Sequence, residues 1–333
     1  MSDGERHCGD PDATADSRSV TTAFTQAARV TLRARLAASL QPGWRTRFAP
    51  SPTGHLHLGH AVNAVYVWSI ARAFGGSVIV RIEDHDRQRS RAAYETSIRD
   101  DLLWLGLASD NLALGLPSGL RQRDAEAVYA ASMARLELAG SVYACRCSRR
   151  DIAALGDTGA ELRYPGTCRD ADVPASETHA RRLRMSEDTV RVDDLRHGAL
   201  LQQPATQCGD MLLRDRLGQW TYQYAVVVDD LRQGVTLLIR GDDLLASTGR
   251  QRVLARMLGE LRPPWLLHHP LLLHADGTKL SKSRGDAGLW QLRAAGWSPA
   301  QVLGHAAWLG GLQPMSTPLE SADLPLLWDA ATV

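Results

Sequence analysis

The only two lysines of the sequence lie in one short stretch, Lys279-Leu280-Ser281-Lys282-Ser283, whereas the other 36 of its 38 basic residues are arginines. An arginine presents a wide planar fork, whereas a lysine carries a compact and mobile point charge. The pairing of Lys279 with Lys282 therefore predicts a site at which a small cation follows phosphate oxygens during a reaction. The alternative is a chance placement on a loop.

A second chemically suggestive stretch runs from Arg47 to His60 and combines helix-breaking residues with glycines and a His-x-x-His pair. Gly54 and Gly59 allow the backbone to approach a ligand, and a helix that begins here directs its first N–H groups toward an anion. His57 and His60 share a face of that helix and can donate to the same phosphate chain. The stretch predicts a nucleotide-phosphate site.

Three of the five cysteines, Cys145, Cys147 and Cys168, cluster in a polar, arginine-rich part of the chain. In a reducing compartment this clustering is more typical of metal binding than of disulfides. Three thiolates leave one position of a tetrahedral zinc site to fill, and from the sequence His179 and Cys208 are candidates for it. Buried cysteines without a metal are the alternative.

The composition restricts the class of protein. The 38 basic and 37 acidic residues nearly cancel, giving a formal charge of +1, so any RNA contact must use local arginine clusters. The candidates are Arg146, Arg149, Arg150, Arg181, Arg182 and Arg184. No apolar run approaches the ~20 residues of a membrane span, and the N-terminus lacks the order of a signal peptide. We expect a cytoplasmic protein with no membrane partner.

The elements that must position these residues alternate between strand and helix. Strands are predicted at 45–49, 77–82, 220–228 and 235–240, and helices at 57–74, 91–107 and 247–258. The alternation predicts an α/β fold with a parallel sheet. We expect a flexible leader (1–43, with a loose helix at 21–40), a first catalytic half (44–110), an inserted subdomain (111–205), a second catalytic half (206–285) and a C-terminal tail (286–333).

Taken together, these motifs resemble the class I aminoacyl-tRNA synthetases of the glutamyl type. Residues 50–60 are similar to the HIGH signature of that family and 279–283 to its KMSKS loop. Segments 81–86, 220–230 and 238–245 also resemble the family. The resemblance implies a Rossmann-type parallel sheet, an inserted zinc-containing α+β subdomain like an acceptor-binding one, and a short helical C-terminal segment.

The length after the KMSKS-like stretch favours one branch of the family. Only residues 284–333 follow it, too few for the helical anticodon-binding domain of a full glutamyl-tRNA synthetase. The resemblance is therefore to the shortened glutamyl-Q tRNA(Asp) branch. It implies that L-glutamate is activated by ATP and Mg²⁺ without tRNA and transferred to queuosine at the wobble position of the tRNA(Asp) anticodon loop. We expect a monomer.

Two other functions stay open at this point. The chain could be a truncated glutamyl-tRNA synthetase that charges tRNA(Glu), or a non-catalytic regulator that binds tRNA. The intact HIGH-like and KMSKS-like stretches argue against the regulator, because a binding module has no need for groups that stabilise a departing pyrophosphate.

The resemblance also implies a role for individual residues. Lys282, assisted by Lys279, would be the mobile cation on pyrophosphate, while His57 and His60 would be fixed donors beside Gly59 in an ATP site. The L-glutamate site would consist of Arg47, Phe48, Ala49, Pro50, Ser51, Glu83, Tyr222 and Arg240. In it, the arginines would bind carboxylates, Glu83 the ammonium group and Tyr222 the side chain.

For the metal, the resemblance implies one structural Zn²⁺ bound by Cys145, Cys147, Tyr164 and Cys168. A tyrosine oxygen is an unusual zinc ligand, since zinc normally binds cysteine, histidine or carboxylate groups. A closed site with four protein ligands leaves no position for a substrate, which favours a structural role.

Overall fold

Parallel strands separated by helices form the centre of the protein in the computed structural model, which describes residues 26–154, 162–272 and 288–329. The helices are α1 (Gln26–Ser39), α2 (Leu58–Ala73), α3 (Ala92–Trp104), α4 (Glu126–Leu138), α5 (Arg149–Ala153), α6 (Pro204–Cys208), α7 (Tyr222–Arg232), α8 (Thr248–Met257), α9 (Leu289–Ala294) and α10 (Pro299–Leu309). The strands are β1 (Arg45–Phe48), β2 (Ser77–Ile82), β3 (Leu120–Arg121), β4 (Val142–Cys145), β5 (Ala180–Leu183), β6 (Val190–Asp194), β7 (Gly198–Gln202), β8 (Met211–Arg214), β9 (Leu237–Gly241) and β10 (Trp265–His269). Short 3₁₀ helices lie at Gln122–Ala125, Asp242–Ser247 and Ser321–Trp328.

Two groups of parallel strands meet side by side. Strands β1, β2 and β3 form one group, and β6, β10 and β9 form the other, with β7 antiparallel at its edge. The groups adjoin where the backbone N–H of Thr236 donates to the carbonyl of Arg45 at 2.9 Å. The order reverses at this junction between β1 and β9, which is where an open α/β sheet places its ligand crevice. The predicted α/β class is confirmed.

A second, antiparallel sheet consists of β4, β5 and β8. Two of its strands, β4 and β5, lie within the expected insertion (111–205), and the third, β8, lies outside it. Strands β6 and β7 precede residue 205 and belong to the main sheet, whereas β8 follows that residue and returns to the small sheet. The chain therefore leaves the main sheet for the small sheet and returns to it twice, because the pairing of distant strands sets the boundary.

The predicted strand at 220–228 is wrong, since most of this segment is the start of helix α7. Thr221 is its N-cap, and the Thr221 side chain accepts a hydrogen bond from the N–H of Tyr224. The helix is buried continuously from Tyr224 to Asp230. A short apolar run that is buried on all sides has no distinguishing period, so its β-branched valines made it look like a strand.

Residues 26–39, the described helical part of the predicted leader, are packed against the rest of the protein. Helix α1 forms within the 21–40 segment, and its Leu32 and Leu36 are buried in the main hydrophobic core. The guanidinium groups of Arg29 and Arg33 donate to the carbonyls of Leu327 and Trp328 at 2.7 Å each. Residues 26–39 therefore belong to the folded body and bind its C-terminal segment. No described helix combines the length and apolarity that a membrane crossing needs.

Candidate active site

The carboxyl ends of β1, β2, β9 and β10 surround a cavity of about 260 Å³, called the central cavity below. Eight of the predicted site residues line it: Arg47, Ala49, His57, Gly59, His60, Glu83, Tyr222 and Arg240. They come from separate segments of the chain, and the parallel sheet brings their strand ends to one edge. The arrangement favours a ligand with both phosphate and carboxylate groups.

Three residues predicted in the glutamate site do not line this cavity. Phe48 is 1% exposed and packs on the ring of Trp68 with centroids 5.4 Å apart. Side chains alternate along a strand, so Phe48 faces the core while its neighbours Arg47 and Ala49 face the cavity. The carbonyl oxygen of Pro50 accepts a hydrogen bond from the backbone N–H of Glu83 at 3.0 Å. Ser51, the next residue, also lies outside the cavity lining.

The start of helix α2 forms one wall of the central cavity. His57 is its N-cap, and the Nδ1 atom of His57 accepts the N–H of Gly59 at 3.1 Å. Nδ1 of His60 in turn accepts the N–H of His57 at 3.2 Å. A backbone N–H can only donate, so both neutral rings carry their proton on Nε2 and can donate from that atom. The structure confirms that the two rings lie together, with centroids 4.0 Å apart.

Gly59 is required by the close approach of the His57 ring. A Cβ atom at this position would lie 2.9 Å from Cε1 and 3.1 Å from Nδ1 of His57. Any larger residue would displace the ring that caps the helix. The glycine therefore keeps the positive end of α2 accessible to an anion.

Lys279 and Lys282 lie outside the described residues. The described residues on either side are close to the cavity: Leu272 lines it, and Gly288 forms an isolated β-bridge with His57. The placement of the two ammonium groups at the phosphates stays a prediction.

A chain of alternating charges connects Arg47 with Glu83, two residues of the predicted glutamate site. Asp230 accepts from Nε of Arg47 at 3.1 Å and from Nη1 of Arg81 at 2.8 Å, and Arg81 also donates to Oε1 of Glu83 at 2.9 Å. Burial alone would raise the pKa of Asp230, but Arg47 and Arg81 hold it below its ordinary value. Arg47 is thus already paired with an acid, and Glu83 is held in place by Arg81, which is fully buried.

Arg240 is in a different electrostatic situation. Its guanidinium group is buried and donates to three neutral acceptors: Nε2 of His268, Oε1 of Gln251 and Oγ1 of Thr248. No carboxylate forms an ion pair with it in the parts of the chain that the structure describes. Burial lowers the pKa of Arg240. A buried cation without its own counter-ion is costly, so this side of the cavity is suited to a carboxylate of a ligand.

Tyr222 stands at the first position of helix α7 and faces the cavity. Burial and the nearby negative charge of Glu83 raise the pKa of its hydroxyl to about 12. The hydroxyl therefore keeps its proton at neutral pH and can donate a hydrogen bond.

The three clustered cysteines meet beside the small antiparallel sheet. Their Sγ atoms lie within 4.8 Å of one another, and those of Cys147 and Cys168 are 3.6 Å apart. The hydroxyl oxygen of Tyr164 is 3.3 Å from Sγ of Cys145 and 4.0 Å from Sγ of Cys147. Tetrahedral zinc with Zn–S bonds of about 2.3 Å needs donor atoms roughly 3.5 to 3.8 Å apart. The 3.6 Å separation of Cys147 and Cys168 lies in this range, and the cluster is compatible with such an ion.

The two other candidates for a fourth ligand lie elsewhere. Sγ of Cys208 donates to the carbonyls of Pro204 and Gly209, and His179 is half-buried with Nδ1 hydrogen-bonded to the carbonyl of Pro174. Neither joins the group of potential metal ligands found in the described residues. Tyr164 is the residue that the fold brings to the cysteines.

Comparison with known proteins decides the family. A sequence model described as tRNA synthetases class I (E and Q), catalytic domain, matches residues 44–313. The chain belongs to this family of class I tRNA synthetases. The HIGH-like stretch on the cavity wall and the parallel sheet behind it are therefore parts of a synthetase catalytic domain.

The curated relatives specify the branch. A glutamyl-Q tRNA(Asp) synthetase of Symbiobacterium thermophilum is 41% identical over 305 residues, covering 86% of this chain and 93% of the relative. One from Burkholderia cenocepacia is 42% identical, covering 84% and 93%. The resemblance to this branch is confirmed.

Solved structures agree with the fold of this synthetase. Glutamate-tRNA synthetase from Elizabethkingia anophelis matches with a TM-score of 0.68 and 27% identity over 80% of this chain. A glutamate tRNA ligase from Elizabethkingia meningosepticum, solved in complex with its amino acid, gives 0.67 and 26% over 79%. The chain spans about three fifths of the length of both, 61% and 60%.

Sequence reasoning missed several residues of the synthetase cavity, among them Asn63, Asp243 and His269. His269 stacks on Tyr66 with ring centroids 5.0 Å apart, and burial lowers its pKa to about 4, so its ring is neutral. His269 ends strand β10, which was not predicted from the sequence; the apolar residues before it were the available signal, since ligands lie at strand carboxyl ends.

The six predicted RNA-binding arginines differ in exposure. Arg181 and Arg184 are half-buried and form ion pairs with Glu137 and Asp170. Arg146, Arg149 and Arg150 are exposed. Arg182 is buried, with its guanidinium carbon 3.7 Å from the centroid of the Tyr164 ring and its Nε donating to Sγ of Cys145 at 3.3 Å. Arg182 therefore supports the cysteine cluster and is not available to a phosphate.

Proposed function

We propose that this synthetase joins L-glutamate to AMP without tRNA and transfers the glutamyl group to queuosine at the wobble position of tRNA(Asp). The observation that carries the proposal is Arg240, a buried cation whose described hydrogen bonds all go to neutral groups, in the same cavity as Glu83 and the capped start of α2. The names of the relatives support the choice of tRNA(Asp).

The first step is a displacement at phosphorus. An oxygen of the glutamate α-carboxylate attacks the α-phosphorus of ATP, and the bond to the bridging oxygen of pyrophosphate breaks. His57 and His60 donate from Nε2 to the phosphates near Gly59, while Lys282, assisted by Lys279, follows the departing pyrophosphate. Mg²⁺ accompanies ATP and neutralises its charge. No covalent intermediate with the enzyme is needed.

In the second step, a hydroxyl of queuosine attacks the glutamyl carbonyl and AMP departs. For this the enzyme must hold glutamate by all of its charged groups. Arg240 binds a carboxylate as its principal counter-ion, and Arg47 contributes less because Asp230 already holds it. Glu83 accepts from the ammonium group, and Tyr222 donates from its neutral hydroxyl.

The cysteine cluster would hold one structural Zn²⁺ in the inserted subdomain, through Cys145, Cys147, Cys168 and the oxygen of Tyr164. The spacing of the donor atoms supports this. Nε of Arg182 donates to Sγ of Cys145, which offsets the negative charge of three thiolates. The ion would stabilise this part of the protein and take no part in catalysis.

The RNA partner would be a single-stranded anticodon loop with its wobble nucleoside turned into the cavity. The exposed Arg146, Arg149 and Arg150 are suited to neutralise its phosphates. We propose a cytoplasmic monomer. The names of the curated relatives do not favour a truncated enzyme for tRNA(Glu) or a regulator without catalysis.

The proposal is tested in two stages. Glutamate-dependent exchange of radiolabelled pyrophosphate into ATP, with no RNA present, would establish the first step, and its absence would overturn the proposal. For the second step, queuosine-containing and unmodified tRNA(Asp) are compared after removal of the 3′-terminal adenosine, with tRNA(Glu) as control. Label on trimmed, queuosine-containing tRNA(Asp) alone is expected, whereas charging of intact tRNA(Glu) alone would refute the acceptor.

A further inference from the structure

A row of three side chains crosses the sheet behind the central cavity. Asp194, His268 and Arg240 stand on the neighbouring strands β6, β10 and β9, and His268 is paired directly with Arg240 in the strand register. Oδ2 of Asp194 is 2.8 Å from Nδ1 of His268, and Nε of Arg240 is 2.9 Å from Nε2 of the same ring. The side chains of Asp194 and His268 have no solvent exposure.

Groups that can only donate fix the direction of these hydrogen bonds. Oδ1 of Asp194 accepts the N–H groups of Arg196 and His197, at 2.9 and 2.8 Å, and Oδ2 accepts the N–H of His268 at 3.0 Å. Nε of Arg240 can only donate, so Nε2 of His268 is the acceptor and the proton of the neutral ring is on Nδ1. Nδ1 therefore donates to Oδ2 of Asp194, which agrees with the role of both Asp194 oxygens as acceptors.

This arrangement supplies negative charge to Arg240 without occupying its carboxylate-binding atoms. The guanidinium group has five N–H donors. One is used by His268, one by Gln251 and one by Thr248, which leaves one N–H on each terminal nitrogen among the described contacts. The two terminal nitrogens can each donate this remaining N–H to one oxygen of the same carboxylate. An acid in direct contact with Arg240 would compete for them, whereas Asp194 acts through a neutral imidazole.

We infer that Asp194 and His268 are positioning residues that hold Arg240 in the orientation in which it binds a carboxylate of the amino-acid substrate. The inference rests on the proposed function, since it takes glutamate as the ligand of Arg240. Neither residue touches substrate. Their role is to fix the Nε edge of the guanidinium group, so that little conformational freedom is lost when the carboxylate binds.

The ionisation states agree with this geometry. Burial, together with the nearby positive charge of Arg240, lowers the pKa of His268 and keeps the ring neutral. Burial would raise the pKa of Asp194, but the hydrogen bond from His268 holds it below its ordinary value. A protonated His268 would place an N–H against the N–H of Arg240, so the hydrogen bond between the two residues would be lost.

Two substitutions at one position separate the two halves of the row. His268→Asn places an amide near the Nδ1 position, so it keeps the contact with Asp194 and loses the acceptor for Arg240. His268→Gln places its amide oxygen near the Nε2 position, so it keeps the acceptor for Arg240 and loses the contact with Asp194. In pyrophosphate exchange, His268→Asn should raise KM for glutamate about tenfold or more, the loss expected for a hydrogen bond to a charged group. His268→Gln should raise it less, and KM for ATP should stay unchanged in both.

Asp194→Asn should resemble His268→Asn. Backbone N–H groups donate to both oxygens of Asp194. In either orientation of the asparagine amide, its NH₂ group therefore faces one of these donors and loses that hydrogen bond. If the amide N–H faces the imidazole, the proton of His268 moves to Nε2 and opposes Arg240. His305→Asn and His305→Gln are the controls, because His305 is a half-buried histidine on α10 outside the cavity lining. Neither should change either KM.

The outcomes distinguish this inference from the proposed function. If the wild-type enzyme gives no glutamate-dependent exchange, the proposed function fails. If it is active and His268→Asn and His268→Gln raise KM for glutamate equally, or raise both KM values together, the positioning role is overturned. A measurement without mutation guards against misfolded variants: long-range ¹H–¹⁵N correlation of histidine-labelled protein should show the Nδ1–H tautomer for His268. An Nε2–H tautomer would also overturn the inference.

Discussion

Replacing Glu83 with glutamine should weaken glutamate binding and spare ligands that lack an ammonium group. Glu83 is 5% exposed, lines the cavity and has Oε1 fixed by Arg81 at 2.9 Å. Loss of a charge-assisted hydrogen bond costs about 1.5 to 3 kcal/mol of binding free energy, which raises the dissociation constant roughly 10- to 150-fold. Glutamine cannot compensate, because its N–H group must face either Arg81 or the ammonium group, and both are donors.

The fold should tolerate this change, since Arg81 keeps its ion pairs with Asp230 at 2.8 Å and Asp229 at 3.7 Å. The assay is isothermal titration of Glu83→Gln and wild-type enzyme with L-glutamate and with glutarate, which has both carboxylates and no amino group. We expect glutamate affinity to fall by the stated factor and glutarate affinity to change less than about threefold.

The matched control is Glu95→Gln. Glu95 is also 5% exposed and is held by Arg99 and Arg121, but it lies outside the cavity lining. It should affect neither ligand. Equal weakening of glutamate and glutarate by Glu83→Gln would refute the reasoning, because it would mean that Glu83 shapes the cavity without contacting the ammonium group.

Four further predictions concern separate parts of the chain. Lys282→Ala should lower the rate of pyrophosphate exchange about 100-fold with little change in glutamate affinity, and equal losses in both would contradict its role on pyrophosphate. Metal analysis should find one zinc per chain, which Cys147→Ser removes and Cys208→Ser retains. Burial raises the pKa of Asp101 to about 6, so the folded state binds its proton more tightly and stability falls as pH rises from about 4 to 6. Asp101→Asn should therefore stabilise the protein at pH 8 by up to about 3 kcal/mol, less toward pH 4, while exposed Asp100→Asn does little in urea unfolding. Leu36→Ala should cost about 2 to 5 kcal/mol in the same assay, and a neutral result would mean that α1 does not stabilise the core.

Many residues of the central cavity could be predicted from the sequence, because they belong to short local sequence patterns. Strand β2 was predicted with its observed bounds, and helix α2 to within a residue at each end. Glu83 and Arg240 were assigned to the site through the resemblance to the family, and the structure places both in the cavity lining at strand ends, which meet at one edge of a parallel sheet. The three-residue spacing of His57 and His60 predicted that they share a helical face, and their rings lie together.

The sequence was least informative where a residue's role depends on distant partners. Helix α7 was taken for a strand because burial on every side removes the period that distinguishes the two. The contact of Tyr164 with the cysteines is set by the small sheet and by the bridge from Tyr164 to Gly209. From the sequence alone, His179 and Cys208 were candidates for the fourth zinc ligand.

The amino-acid sequence by itself determined the chemistry of this synthetase: which groups can donate to phosphates, which can bind carboxylates, and that strands and helices alternate around them. Tertiary structure alone decided how the charges are balanced. Asp194 and His268 are 74 residues apart, and their hydrogen bond forms only because β6 and β10 pair in the sheet. Arg47 has an acid partner and Arg240 has none in the described residues, a difference that neither arginine's neighbours in sequence reveal. Local preference acts over a few residues, whereas the environment of a buried charge depends on every strand that packs against it.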